Sequence, residues 1–178
     1  MIMRLLPLTL LMAASAIATA QYDFYTSTTF TGAVAVSDTG AAVGPSGSGH
    51  GIWKPRVNAT PVAIGGNSSS GRQGISANGL WIGGSAPGPD TKIEIGRFSV
   101  ASGTWTTYGG AGGYSGTTRS SCWGISGDGS MVFGYGHGTY TGTGSGTFTG
   151  IRPITIQNGN TVDLSQISNA NSINRITG

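Results

Sequence analysis

Few side chains in this sequence are of a type that acts as a nucleophile. The chain has one cysteine, Cys122, and two histidines, His50 and His137. A catalytic thiolate needs a histidine partner, and none of the three residues lies in a recognisable catalytic motif. Cys122 also aligns with small residues on a predicted strand. We therefore expect Cys122 to be a buried small hydrophobe, and we predict no catalytic residue.

Acid chemistry would depend on six carboxylates, because a glycosidase needs two of them flanking the scissile bond. They are Asp23, Asp38, Asp90, Glu94, Asp128 and Asp163. Asp38 and Asp128 fall in glycine-containing turns, where an aspartate hydrogen-bonds the local backbone. Asp163 occupies a position that recurs in an internal repeat. The other three carboxylates remain open to a hydrolytic role.

No metal or cofactor site is predicted. A calcium β-roll would need Gly-Gly-x-Gly-x-Asp in tandem, and the nearest stretch, residues 109–114, has no aspartate. An EF-hand loop would need several acidic residues within about twelve positions. No helix is predicted after these glycines, so no helix N-terminus is expected to bind a nucleotide phosphate.

Aromatic side chains favour a binding function instead. Trp53 and Trp105 lie on predicted strands and are expected in the core, where tryptophan is usually buried. Tyr135 and Tyr140 lie beside a Gly- and Thr-rich stretch, residues 135–150, predicted to be a mobile, solvent-exposed loop. Tyr135 and Tyr140 are therefore the candidate ligand-binding aromatics, which could stack on a sugar or pack against a partner protein.

The composition indicates the kind of fold that carries these side chains. Of 178 residues, 33 are glycine, 37% are hydrophobic and only 8% are charged. Gly, Ser, Thr and Asn replace the missing charges, which is typical of a turn-rich extracellular β protein. The net charge of +3 comes from basic residues scattered singly. Nucleic-acid binding needs clustered Lys and Arg, so we exclude nucleic acid as a partner.

The first twenty residues predict a secretory signal peptide. Residues 1–20 contain one positive charge at Arg4, an apolar run over residues 5–12 and an Ala-x-Ala cleavage site at residues 18–20. The apolar run is shorter than the roughly 20 residues that a spanning helix needs. We expect an exported protein in the periplasm, at the cell surface or outside the cell, with no membrane span.

An internal repeat predicts the architecture. One strand–turn–strand pattern recurs at residues 33–44, 72–84 and 122–136, and its start appears again from residue 170. Equivalent positions, spaced by 39, 50 and 48 residues, are Ser37, Ser76, Ser126 and Asn174. This spacing is close to the roughly 40 to 50 residues of a β-propeller blade. The dipeptides Asn78-Gly79 and Asp128-Gly129 are typical of tight hairpin turns.

Two more short strands are predicted after each hairpin. They cover residues 50–55 and 60–66, then 92–100 and 104–110, then 148–156 and 160–164. Four strands per unit predict an all-β fold of antiparallel sheets repeated as propeller-like blades. The predicted organisation is a signal peptide at 1–20, a lead-in at 21–32, repeat units at 33–71, 72–119 and 120–169, and the start of a truncated fourth unit at 170–178.

Two stretches of the repeat point to a known family. They are SSCWGISGDG at residues 120–129 and NGNTVDL at residues 158–164. With these motifs, the chain resembles the HAF-family extracellular repeat of exported bacterial proteins. The histidine of the family signature is kept at His50, whereas the equivalent stretches at 94–98 and 149–153 lack it. The resemblance implies an exported surface or extracellular protein, often with a C-terminal sorting signal or anchor, and no established reaction.

These observations lead to one expected function and one alternative. A ring of blades needs at least about four units, and this chain holds three and the first strand of a fourth, so we interpret it as part of a longer protein. We expect a non-enzymatic binding or structural role, with a glycan or a surface protein as partner. The alternative is a secreted carbohydrate-active hydrolase whose site is assembled across blades.

Overall fold

The computed structural model describes residue 27 and residues 30–58, 60–110, 116–141 and 147–164. The predicted signal peptide at 1–20, Asp23 and the predicted fourth unit at 170–178 lie outside these residues. The described residues contain twelve β-strands. Among them there is no helix long and apolar enough to cross a membrane.

The strands form three antiparallel sheets, each a four-stranded meander in chain order. The first sheet contains β1 (Ala35–Val36), β2 (Ala42–Ser46), β3 (Gly49–Trp53) and β4 (Val62–Gly65). The second contains β5 (Gly74–Ile75), β6 (Trp81–Pro87), β7 (Ile93–Ser99) and β8 (Thr104–Thr107). The third contains β9 (Ser120–Ile125), β10 (Met131–Thr141), β11 (Thr147–Gln157) and β12 (Asn160–Asp163). The prediction of an all-β chain of antiparallel sheets is confirmed.

The same turn closes the first hairpin of every sheet. A serine carbonyl accepts the N–H of the glycine three residues later, at 2.9 or 3.0 Å. The serines are Ser37, Ser76 and Ser126, and the glycines are Gly40, Gly79 and Gly129. These glycines have φ values of 76°, 71° and 77°. For a residue with a Cβ, this left-handed conformation costs about 1–2 kcal/mol of conformational free energy, which explains the recurring glycine.

The side-chain hydroxyl of the same serine also makes hydrogen bonds within the turn. Ser126 Oγ accepts the Met131 N–H at 2.9 Å and donates to Asp128 Oδ1 at 2.5 Å. Ser76 makes the equivalent two bonds in the second sheet. Hydrogen bonds from the Ser126 hydroxyl and from Ser130 lower the pKa of the exposed Asp128 to about 2. Asp128 therefore has the turn-forming role that was predicted for it.

The three sheets stack in chain order, with each first hairpin against the next. β5 packs on β1 and β2, and β9 packs on β6 and β7. The residue after the turn serine links the hairpins: Asp38 N–H donates to the Ala77 carbonyl at 2.9 Å, and Ala77 N–H donates to the Gly127 carbonyl at 2.7 Å. We call this run of bonds the turn ladder. Each unit is thus joined to the next by a hydrogen bond between equivalent residues.

Two apolar clusters fill the spaces between the sheets. The first, between sheets one and two, consists of Ala41, Val43, Ile52, Ile75, Ile82 and Phe98. The second, between sheets two and three, consists of Ile95, Cys122, Val132, Ile154 and Ile156. Burial raises the pKa of the Cys122 thiol to about 12, so this thiol stays protonated. The predicted burial of Cys122 is confirmed, as is the predicted burial of Trp53.

The predicted mobile loop over residues 135–150 is wrong for most of its length. β10 continues to Thr141 and β11 begins at Thr147, and the two strands pair residue by residue over this stretch. Its glycines alternate with larger residues, and those at positions 134, 136 and 138 are buried. Such alternation suits a strand with one face packed closely on a neighbour. The glycine content of this stretch is typical of a loop, whereas the alternation of glycine with larger residues is typical of a strand.

Alanine at equivalent turn glycines should have unequal costs. A Cβ at Gly40 would meet open space, so Gly40→Ala should lower the free energy of unfolding by about 1–2 kcal/mol, from backbone strain alone. A Cβ at Gly129 would also overlap the indole of Trp81, so Gly129→Ala should lower it by about 1–3 kcal/mol more. Urea denaturation of the two variants measures the difference, and equal losses would contradict it.

Candidate functional site

Trp123 is a large apolar side chain at the edge of the third sheet. It lies on the edge strand β9 and is 41% exposed. The pairing register with β10 shifts at this point: Gly124 pairs with Phe133, Cys122 pairs with Gly134, and Trp123 is left without a partner residue. Such a bulge bends the strand and changes the direction of a side chain. The bulge therefore explains why the indole reaches the surface.

Two side chains flank the Trp123 ring. The Tyr135 ring on β10 stands edge-on to it, with ring centroids 5.8 Å apart and an interplanar angle of 81°. The guanidinium carbon of Arg72 lies 5.9 Å from the indole centroid. Arg72 is held there because its backbone N–H donates to the Cys122 carbonyl at 2.7 Å. We refer to Arg72, Trp123 and Tyr135 as the Trp123 cluster.

Polar groups lie beside the cluster. The hydroxyls of Ser70 and Ser121 are hydrogen-bonded at 2.7 Å, and Ser121 pairs with Tyr135 across the sheet. An exposed indole face can stack on an apolar sugar face, while guanidinium and hydroxyl groups can bind sugar hydroxyls. The cluster therefore combines apolar contact area with hydrogen-bonding groups on a strand whose backbone is fixed by pairing.

Of the three cluster residues, sequence reasoning singled out only Tyr135 as a candidate. Tyr135 is half-buried on a strand instead of flanking a loop. The side chain of Tyr140 lies outside the described part of the structure. Trp123 could have been singled out from the repeat, because the equivalent positions hold Val34 and Gln73, and only the third unit has an aromatic residue there.

Two carboxylates left open to a hydrolytic role meet at one arginine. Glu94 is 2% exposed; its Oε1 accepts from Arg119 Nη1 at 3.0 Å and its Oε2 accepts the Gly109 N–H at 3.0 Å. Arg119 Nη2 also donates to Asp90 Oδ2 at 2.6 Å. Both oxygens of Glu94 are therefore occupied. The Arg119 guanidinium contacts both carboxylates, and Lys92 Nζ, 3.9 Å from Asp90 Oδ2, is the second cation beside them. This arrangement ties β7 to the segment that enters β9.

His50 occupies a buried position between the first and second sheets. Its Nε2 donates to the Ser85 carbonyl at 2.8 Å, so its Nδ1 accepts from the Gln73 amide, also at 2.8 Å. Burial lowers the pKa of His50, since desolvation disfavours the charged ring. A Cβ at Gly84 would lie 2.9 Å from His50 Nε2, whereas a Cβ at Gly83 would lie 3.3 Å from Cys122 Sγ, so the two side chains lie on opposite faces of β6. No thiol–imidazole pair is formed.

The Trp123 cluster offers the geometry best suited to recognition in the described part of the chain. Over the same residues, no group of three or more His, Cys, Asp and Glu side chains is placed to hold a metal ion. The cluster supplies an exposed ring, a cation and hydroxyls, which are groups that recognise ligands. No family model, no curated protein and no solved structure matches this chain.

Proposed function

We propose that this protein is an exported bacterial repeat protein with a non-enzymatic binding role at the cell surface or outside the cell. The signal-peptide pattern of residues 1–20 supports export. The resemblance to HAF-family extracellular repeats supports the class of protein. We further propose that the three sheets are propeller-like blades, which the turn ladder supports because it repeats one step from sheet to sheet.

The observation that carries the binding role is the exposure of Trp123 beside Arg72 and Tyr135. A tryptophan that is 41% exposed gives up apolar burial that the core would provide. The third sheet nevertheless holds this ring outward on a bulged strand, against the Tyr135 edge. Rigid aromatic surface is the commonest anchor of binding sites. A glycan is the partner that fits, since its ring stacks on the indole and its hydroxyls reach Arg72.

The hydrolase alternative has less support. It requires two carboxylates facing a bond between them. Asp90 and Glu94 instead share Arg119, and Asp128 is engaged with Ser126 and Ser130 in its turn. The contacts of these three carboxylates stabilise the fold, and none of these contacts favours hydrolysis.

A glycan array with the purified secreted protein tests the binding role. The best glycan is then titrated against Trp123→Ala, which should weaken binding at least tenfold, or about 1.4 kcal/mol, because the stacking surface is removed. Ile151→Ala is the matched control, since Ile151 is 61% exposed on the same sheet outside the cluster. This variant should bind as the unaltered protein does.

Three outcomes would count against the proposal. A blank array at high protein concentration would exclude glycans as partners. Equal binding by Trp123→Ala and Ile151→Ala would place the site elsewhere. Release of reducing ends from the bound glycan would favour the hydrolase. Thermal unfolding of both variants checks that each one is folded.

A further inference from the structure

A cleft opens between the second and third sheets, beside the second apolar cluster. Its volume is about 340 Å³, which is at the small end of the range for ligand sites. Val132 and Ile156, which pair with each other on β10 and β11, form an apolar wall on the side of the third sheet. Polar groups are contributed by Arg97, Thr106, Tyr108 and Asn158.

Strand register explains why these polar side chains meet. Arg97 lies two residues after Ile95, which is buried against the third sheet. Residues two apart on a strand share a face, so Arg97 faces the third sheet as well. Thr106 pairs with Arg97 across β7 and β8, and Tyr108 follows two residues later. On the other side, Asn158 lies in the tight turn between β11 and β12, with a φ of 51°. Side chains from both sheets thus converge on one space.

The Arg97 guanidinium is held in a fixed position. Its Nη1 donates to the Gly129 carbonyl at 2.7 Å, and its central carbon lies 4.1 Å from the centroid of the Trp81 ring. These contacts come from the turn of the third unit and from β6. A cation that is already fixed loses little conformational entropy when it binds a ligand.

The other donors of Arg97 are not used by the described part of the chain. Nε is buried without a hydrogen-bond partner, and no other buried side-chain nitrogen or oxygen of the described residues lacks one. Nη2 also has no partner among these residues, but it is not buried, so a ligand can reach it. No described carboxylate forms an ion pair with Arg97. Proteins normally pair half-buried charges, so this cation is available to an anionic group.

Three further polar side chains of the cleft are available for hydrogen bonds. Within the described residues, the hydroxyls of Thr106 and Tyr108 and the side-chain amide of Asn158 make no hydrogen bond. The nearby carboxylate of Asp128 does not compete for Arg97, because it accepts from Ser130 in its own turn. A ligand that fits the cleft therefore carries hydroxyl groups as well as an anionic group.

The arginine is not required by the repeat. Arg97 lies opposite Gly83 in the second sheet. The residues in the equivalent places of the first and third sheets are Gly51 and Thr155. The same four-stranded sheet is thus built twice without a cation at this place, so the fold alone does not explain Arg97.

We propose that this cleft is a second binding site and that it takes a sugar acid. The carboxylate binds Arg97 Nη2 through a charge-assisted hydrogen bond, and the hydroxyls of the sugar bind Thr106 and Asn158. The apolar face of the sugar ring lies on Val132 and Ile156, which a bare phosphate or sulfate would leave unused. This inference is independent of the glycan-binding role, because the cleft shares no residue with the Trp123 cluster.

Titration of the purified full chain with sodium glucuronate tests the site, followed by the NMR signals of the Arg97 Nε–H and the Asn158 side-chain amide. Both signals should shift and saturate. Glucose, which lacks the carboxylate, should leave them unchanged. Arg97→Met removes the cation and should weaken binding at least tenfold at the Asn158 signal. Lys54→Met removes the same charge in the first sheet, outside the cleft, and should bind as the unaltered chain does.

Thr106→Val is the second variant, because the contacts of Arg97 also support the turn at Gly129. It keeps the shape of the side chain and removes the hydroxyl. Binding should weaken about three- to tenfold, with the thermal unfolding temperature unchanged. Methyl glucuronoside identifies the source of the ligand: equal binding of this glycoside supports an acidic residue of a polysaccharide, and binding of glucuronate alone supports a free sugar acid.

The remaining outcomes each overturn the proposal. Signals that do not shift with glucuronate, or that shift equally with glucose, show that the cleft does not select a carboxylate. Unchanged affinity in Arg97→Met assigns Arg97 to the support of the turn alone. Affinity that is lost in Trp123→Ala and kept in Arg97→Met assigns the sugar acid to the Trp123 cluster.

Discussion

Arg119→Leu is expected to lower the free energy of unfolding by about 3–5 kcal/mol. The side chain of Glu94 is 3% exposed and lies 3.0 Å from Arg119 Nη1, so the substitution leaves a buried carboxylate without its counter-ion. Domains of this size are stable by only about 5–15 kcal/mol, so such a loss is a large fraction of the total. Urea denaturation at pH 7, followed by tryptophan fluorescence, measures it.

Asp90→Asn is the matched control for that variant. It breaks the contact of Arg119 with a carboxylate whose side chain is 43% exposed, so the loss should stay below about 1 kcal/mol. In the double variant Glu94→Leu with Arg119→Leu, most of the stability should return, because no buried charge is left unpaired. Equal losses in the free energy of unfolding for Arg119→Leu and Asp90→Asn would show that the burial of Glu94 does not determine how much these ion pairs stabilise the protein.

Acid is expected to weaken the contact between the first and second sheets through His50. Its pKa is lowered by burial in the folded protein, so the unfolded chain takes up the proton first as the pH falls. Stability should therefore be constant well above about pH 6.5, the ordinary value for histidine. It should then decline as the pH falls from there towards the folded-state pKa, by at most about 1.4 kcal/mol per pH unit. Denaturation midpoints between pH 8 and pH 5 report this slope.

The groups around His50 explain why stability should fall as the pH falls. The groups around the His50 ring are the Ser85 carbonyl, the Gln73 amide and the Trp105 ring, whose centroid is 5.3 Å away, and none of them carries a charge that could balance an imidazolium. A proton on Nδ1 would also face the Gln73 donor, so the protonated ring loses a hydrogen bond.

His50→Gln is the informative variant, because glutamine is polar and does not titrate. It should be less stable than the unaltered chain at pH 8, and its stability should fall less between pH 7 and pH 5. His137 also has a pKa lowered by burial, so it contributes a slope of the same sign. His137→Gln therefore serves as the comparison. An unchanged slope in His50→Gln would show that His50 does not control the acid response.

The features that sequence reasoning predicted correctly depend on neighbouring residues. Asn78-Gly79 and Asp128-Gly129 favour a tight turn whatever the rest of the chain does, and both glycines have positive φ. The short strands that follow each hairpin were recognisable from apolar and β-branched runs. Hence the number of strands and the unit length were accessible without any knowledge of the packing.

The features that it missed depend on residues far apart in the chain. Arg119 meets Glu94 across 25 positions, and Gln73 meets His50 across 23, so no local pattern marks either pair. Exposure of Trp123 follows from a register shift against β10, which is decided by pairing. The candidate site was therefore predictable only in part, through Tyr135.

Because every sheet is a meander of consecutive strands, the order of folding can follow the order of synthesis. The first sheet needs only residues 35–65 to complete its pairing, and it then offers a preformed surface to β5. The second sheet offers the same to β9. Because strand pairing stays within each unit, folding can proceed stepwise, one unit after another. A chain that emerges N-terminus first would thus build its sheets one unit at a time, with each finished sheet as the template for the next.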